Sequence, residues 1–211
     1  MPTPWNEDPQ GSEQQIAVNA AEVLRQIAAA AGDRDEPSVA MAQDWHRRIY
    51  AGVTLPVPYY AGEPRDSDPA HPELQGYEVE IGRLLGTPSA QVPGALAGFE
   101  AGARRAVAPL DEAITVGTRP RQGPELSAVI SLCAVLHGEW VRVHPFANGN
   151  GRTARLWANW AALRCGLPPF VTVKPRSGKP YAVAAMASMN GDHRVAAAAF
   201  HQMLRAHLGA S

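Results

Sequence analysis

Val143-His144-Pro145-Phe146-Ala147-Asn148-Gly149-Asn150-Gly151-Arg152-Thr153-Ala154-Arg155 is the stretch from which the rest of the chain is read. It places a histidine, a small-residue turn and two guanidiniums side by side, a set able to handle phosphate. Leu156, Trp160 and Leu163 recur at helical spacing after the glycines, so a helix is predicted to start at or just after them. The unpaired N–H groups and the dipole of such a start favour an anion. His144, with an ordinary pKa near ~6.5, is the side chain best suited to take a proton at neutral pH. Phe146 reads as a core anchor of the loop. Gly149 and Gly151 let the backbone approach a ligand closely, and Asn150 tolerates unusual dihedrals while offering an amide to a phosphoryl oxygen. Arg152 and Arg155, three apart, should face one side of the first turn and clamp a polyphosphate. Each feature alone is ordinary turn chemistry; together, between two apolar helices, they point to a phosphate site. The order of a Walker loop is absent.

Working outward, Pro124 opens the most apolar helix of the chain, with Leu126, Val129, Ile130, Cys133, Leu136 and Trp140. The motif helix should end near Gly166-Leu167-Pro168-Pro169, and two alanine-rich helices follow, near Tyr181 to Met189 and Asp192 to Leu208. Upstream, Ile16, Ala20, Val23, Leu24, Ile27 and Ala31 make one apolar face from Ser12 to Gly32. Pro37-Ser38 then opens a second helix with Val39, Ala42, Trp45 and Ile49, closed by Gly52, with Arg47 and Arg48 off that face. Prolines at 56, 58, 64, 69, 72 and 88 forbid a continuous helix between Gly52 and Pro93. Within that excursion Tyr77, Val79 and Ile81 alternate with Glu78 and Glu80, a short exposed strand between Gly76 and Gly82 whose edge can pair with another chain. From Pro93 the series Leu96, Phe99, Ala103 and Val107 is helical and stops at Pro109, with a linker from Asp111 to Gly123. Residues 1–12, rich in proline, are expected to form a mobile arm. The fold class is mainly α with a small β-hairpin, and residues 1–37 (arm and first helix) precede a domain over 38–211.

The chain has 211 residues, enough for one self-sufficient core, with 19 basic and 20 acidic residues and a net charge of -1. That balance gives no global field for nucleic acid or an acidic membrane. Cys133 and Cys165 lack metal spacing and read as free buried thiols. No run of eighteen consecutive apolar residues and no signal peptide is seen, so a cytoplasmic protein, or an effector secreted without such a signal, is expected.

The motif resembles the signature of the Fic-domain family, His-x-Phe-x-Asp/Glu-Gly-Asn-Gly/Lys-Arg-x-x-Arg, at every fixed position from His144 to Arg155 except one. Leu136 to Val143, Trp45 to Tyr50, and Tyr60-Ala61-Gly62-Glu63-Pro64-Arg65 resemble the preceding helix, an earlier helix and the Ala-Gly-x-x-Arg turn. The resemblance implies a Fic-type helical bundle with a hairpin flap, and transfer of AMP from ATP to a hydroxyl of a target protein. By that likeness His144 is the base, Gly149, Asn150 and Gly151 seat phosphate, and Arg152 and Arg155 hold the outer phosphates. Tyr77, Glu78, Val79, Glu80 and Ile81 would form the flap that docks the target. Asn148 is the departure, standing where the family carries the acid that holds Mg²⁺; a neutral oxygen weakens such a site. Three outcomes follow: Mg²⁺ carried by the nucleotide, another phosphate-containing donor or metal, or loss of transfer. The family's inhibitory helix, Ser/Thr-x-x-x-Glu-Gly/Asn, is matched in spacing by Thr3 to Asp8 with the wrong last residue, and the prolines there argue against a helix. The likeness therefore leaves an unrestrained enzyme or a separate antitoxin-like inhibitor.

Elsewhere, His137 reads as a buried, hydrogen-bonded structural residue, with Glu139 able to orient a neighbour. His193, His201 and His207 lack metal spacing. Lys174, Arg176 and Lys179 form a small basic run, and Trp157 and Trp160 are core anchors. Three readings compete: a protein nucleotidyltransferase, a nucleotide-binding module without turnover, and a docking domain.

Overall fold

The most apolar segment of the chain becomes α4 (Gly123–Val143), packed against α3 (Val92–Ala113), α5 (Asn150–Arg164), α6 (Lys179–Met189) and α7 (Arg194–Gly209). This is a computed structural model; it describes residues 3–82, 84–120, 123–173 and 178–209. Two more helices, α1 (Glu13–Ala30) and α2 (Val39–Ile49), lie against each other and against α5. A two-stranded antiparallel hairpin, β1 (Glu80–Ile81) and β2 (Leu84–Leu85), pairs Glu80 with Leu85 and Ile81 with Leu84. The class is the expected one, mainly helical with a small hairpin. Among the described helices α4 alone is long and apolar enough, by length and composition, to cross a bilayer, and its packing partners account for its apolarity.

Aromatic side chains from four helices meet in the core. The Trp157 ring lies edge-on to Trp45 at 4.9 Å and to Phe99 at 5.2 Å, and Phe99 meets Trp140 at 5.0 Å. Such edge-to-face pairs add about 0.5–1.5 kcal/mol each beyond the area they bury. Ser38 caps α2, accepting from Met41 N–H, and Arg47 and Arg48 point to solvent as their spacing predicts.

α5 is buried on nearly every face although much of its sequence is polar. Its polar side chains are satisfied by segments that flank it. Asn159 exchanges two bonds with the Val171 backbone, at 2.7 and 3.0 Å. Arg164 pairs with Asp111 and donates to the carbonyls of Arg34 and Asp35. A buried polar group left without partners would cost about 1–3 kcal/mol, so these loops are part of what lets the helix occupy the centre.

The structure corrects three expectations. α3 runs through Pro109 to Ala113, because that proline is exposed and the carbonyl it leaves without a helical partner can meet water. The strand is shorter than the alternation suggests: Tyr77 is buried, its hydroxyl accepts the Trp5 N–H at 2.8 Å, and pairing begins only at Glu80. The proline-rich arm packs against the domain, with Trp5 only 2% exposed among the rings of His46, Tyr50 and Tyr60 and with Thr3 accepting from the Tyr60 hydroxyl.

Candidate active site

α4 ends at Val143 because His144 turns the backbone into the left-handed region, at φ 50°. A non-glycine residue there is uncommon and must be held by its surroundings. His144 N–H closes on the Trp140 carbonyl and its Nδ1 lies 2.5 Å from the Val141 carbonyl. A carbonyl can only accept, so Nδ1 carries the proton and Nε2 keeps the lone pair. Burial pushes the His144 pKa down to about 4, the Val141 bond opposes this, and the nearby Arg65 charge adds to the lowering. His144 is thus neutral at pH 7.

The chain then drops Phe146 into the core, stacked on the His46 ring at 4.0 Å. Asn150 closes the loop: its Oδ1 accepts the Phe146 N–H and its Nδ2 donates to the Phe146 carbonyl, both at 2.8 Å. This corrects the expectation that the Asn150 amide faces a phosphate; what Asn150 turns to the open end of α5 is its backbone N–H. Gly149 sits at φ 79°, where a Cβ would lie 2.6 Å from His46 Nε2 and 2.8 Å from the Tyr50 hydroxyl, so the turn admits only glycine. The N–H groups of Asn150 and Gly151 then stand at the positive end of a fifteen-residue helix.

His46 holds this turn from below. Its Nδ1 accepts the Gly62 N–H and its Nε2 donates to the Asn148 carbonyl, both at 2.9 Å. Burial pushes its pKa down to about 3, which keeps it neutral with the proton on Nε2. Sequence reasoning passed over His46. Its place beside Trp45, on the face that α2 buries, was the available signal.

The two motif arginines line one cavity but diverge in their bonds. Arg152 forms a two-pronged pair with the Asp8 carboxylate, at 2.7 Å on each side, and also donates to the Tyr50 hydroxyl. Arg155 donates to the Val173 carbonyl at 2.9 and 3.1 Å and to the Tyr181 hydroxyl at 3.2 Å. The Tyr181 hydroxyl also shares a 2.6 Å hydrogen bond with Nε2 of His137, which burial keeps neutral with a pKa of about 3. His137 thus has the hydrogen-bonded structural place predicted for it. Glu139 accepts from His193 Nε2 at 2.7 Å and from Arg142. Neither motif guanidinium is free, which the spacing could not foretell. Asp8 and Tyr50 were noted only within longer stretches, Thr3 to Asp8 and Trp45 to Tyr50, and neither was assigned as a partner of Arg152. Of the basic run, Lys174 and Arg176 lie outside the described residues.

The cavity measures about 970 Å³. Its lining joins polar residues, His144, Asn148 to Arg152 and Arg155, with an apolar group, Val173, Ala182, Ala185, Met186 and Met189, and with Trp5 and Tyr77 to Gly82. Such a mixed lining suits a flat ligand carrying phosphates. A resident Mg²⁺ fits less well. Asn148 offers one neutral oxygen, already accepting the Gly149 N–H at 2.6 Å, and among the described residues no three His, Cys, Asp or Glu side chains gather to hold a metal.

A profile of the Fic/DOC family matches residues 37–162. A protein adenylyltransferase Fic of Drosophila virilis is 40% identical over 52 residues, a segment that spans 25% of this chain and 11% of that protein. Among solved structures, Fic-1 (aa134–508) of C. elegans is 22% identical with a TM-score of 0.57, over 98% of this chain and 56% of that one. The BepC effector protein of Bartonella tribocorum, solved with bound AMPPNP, is 13% identical with a TM-score of 0.59, over 90% and 86% of the two chains. The structural likenesses concern the fold.

Proposed function

The chain belongs to the Fic/DOC family, and from that premise we propose that it is a protein nucleotidyltransferase moving AMP from ATP to a Ser, Thr or Tyr hydroxyl of a target protein. The observation that carries this reading is the neutral His144, with its proton fixed on Nδ1, lining the same cavity as the open N-terminus of α5. The helix start at Asn150 and Gly151 receives phosphate oxygens, Arg152 and Arg155 neutralise the outer phosphates, and the apolar group of Val173, Ala182, Ala185, Met186 and Met189 takes the base. The target hydroxyl gives its proton to His144 Nε2. Its oxygen forms a bond to the α-phosphorus, the bond to the β-phosphate oxygen breaks, and pyrophosphate leaves. The negative charge of the bound nucleotide raises the low pKa of His144 and makes it a stronger acceptor. The hairpin docks the target main chain. No step is routed through a protein-held metal.

The test is labelling of lysate proteins with α-labelled ATP and Mg²⁺ or Mn²⁺. Wild type is expected to label, and His144→Ala to lose about 10²–10⁴-fold in rate; wild type that labels nothing from any of the four nucleotides would sink the reading. Asn148 favours one alternative, a nucleotide-binding module without turnover, for which calorimetry would show ATP affinity with no label transferred.

A further inference from the structure

We propose that Arg65 is the positioning residue that locks the hairpin to the His144 loop, so that docking edge and base share one rigid frame. The proposal rests on the transferase reading above. Arg65 is fully buried. Its Nε donates to the His144 carbonyl at 2.9 Å, Nη1 to Tyr77 at 2.8 Å, and Nη2 to Thr87 at 2.9 Å and Val143 at 3.2 Å. Its own N–H donates to the Pro145 carbonyl at 2.8 Å. The acceptors come from three places: the entry to β1, the exit from β2, and the end of α4 with the base that follows it.

Several independent contacts tighten the same junction. Thr87 N–H and hydroxyl both reach the Arg142 carbonyl at 3.3 Å. A Cβ on Gly86 would lie 2.9 Å from the His144 Cβ and 3.5 Å from Arg65 Nη2, so the hairpin exit passes directly over the base. The left-handed backbone of His144 needs an outside restraint, and the Arg65 bond to its carbonyl supplies one. The guanidinium also meets the carbonyl end of α4, where a cation is favoured. Only a planar fork of five N–H donors can reach all of these; a lysine ammonium is one point. A target strand paired to the hairpin would therefore present its hydroxyl at a distance from His144 that Arg65 sets.

Arg65→Lys and Gly86→Ala test this in the full chain, the second leaving Arg65 untouched while wedging a methyl against His144. Three quantities are measured: amide hydrogen exchange, calorimetric affinity for a non-hydrolysable ATP analogue, and label transferred to lysate proteins at saturating α-labelled ATP. In Arg65→Lys, exchange over residues 79–82 and 84–87 is expected to quicken about tenfold or more while α4 and α5 stay protected. In both variants analogue affinity stays within about threefold and transfer falls about tenfold or more. Unchanged hairpin exchange in Arg65→Lys, or parallel loss of affinity and transfer in a folded variant, overturns the proposal. If Arg65→Lys does not fold, Gly86→Ala decides, and wild-type transfer in that variant overturns it. Wild type that transfers no label removes the transferase reading alone, and exchange still decides the tether.

Discussion

A carboxylate at position 148 would bring a full charge beside the proposed phosphate seat, whereas Asn148 brings one neutral oxygen already turned onto the Gly149 N–H. Mg²⁺ is held chiefly by carboxylates, phosphates and water. Asn148→Asp is therefore expected to raise Mg²⁺-dependent transfer by about tenfold or more, read as labelling rate against metal concentration. An equal or lower rate would show Asn148 matched to a donor that brings no such metal. His144 and the glycines were legible because their arrangement is local, set within one turn of chain. The partners of the arginines were not. Arg152 meets Asp8, 144 positions away, and Arg155 meets Val173, 18 positions away, so helical spacing fixed where each side chain starts and not where it ends. The Asn150 amide was misread for the same reason: its direction follows from the loop closing on Phe146.

Among the elements, the N-terminal arm departs furthest from its sequence reading. Prolines exclude a helix, as expected, but they do not exclude packing, and Trp5 anchors the arm in a ring of aromatics beside the cavity. Its Asp8 presents to Arg152 the two oxygens a phosphate would present. On the proposed reading an incoming triphosphate competes with that carboxylate, and a site only fractionally open binds more weakly in proportion. Asp8→Asn is expected to tighten ATP about tenfold by calorimetry; weaker binding would mean that Asp8 pre-orients Arg152. Helices α1, α2, α4, α5, α6 and α7 were readable from apolar spacing and end signals. The last turn of α3 was not, since a proline on a solvent face does not stop a helix as an interior one does.

Among the described residues, His46 and His137 are buried and His144 is partly buried, and loss of solvent around each pushes its pKa down, to about 3, about 3 and about 4. In the unfolded chain each would take a proton near ~6.5. Between those values the unfolded state holds more protons, so stability is full above about pH 6.5 and falls as pH falls, by about 1.4 kcal/mol per unit for each histidine. The thermal midpoint by calorimetry should drop steadily from pH 6.5 to 5; a flat profile would mean that the fold tolerates these imidazoles charged. The mainly helical class was legible because it depends on averages over many residues. The partners of His46 were not, because they depend on single pairings far along the chain, the Gly62 N–H and the Asn148 carbonyl 102 positions away.

The cavity lining comes from different parts of the chain, the proposed phosphate seat from 144–155 and most of the apolar residues from Val173 and from 182–189. On the proposed reading, machinery and cargo are thus coded separately. Substitutions at Ala182, Ala185 or Met186 can change which group fits while the seat for its phosphates stays as it is, so donor choice can drift in evolution, or be redirected by design, without rebuilding the chemistry.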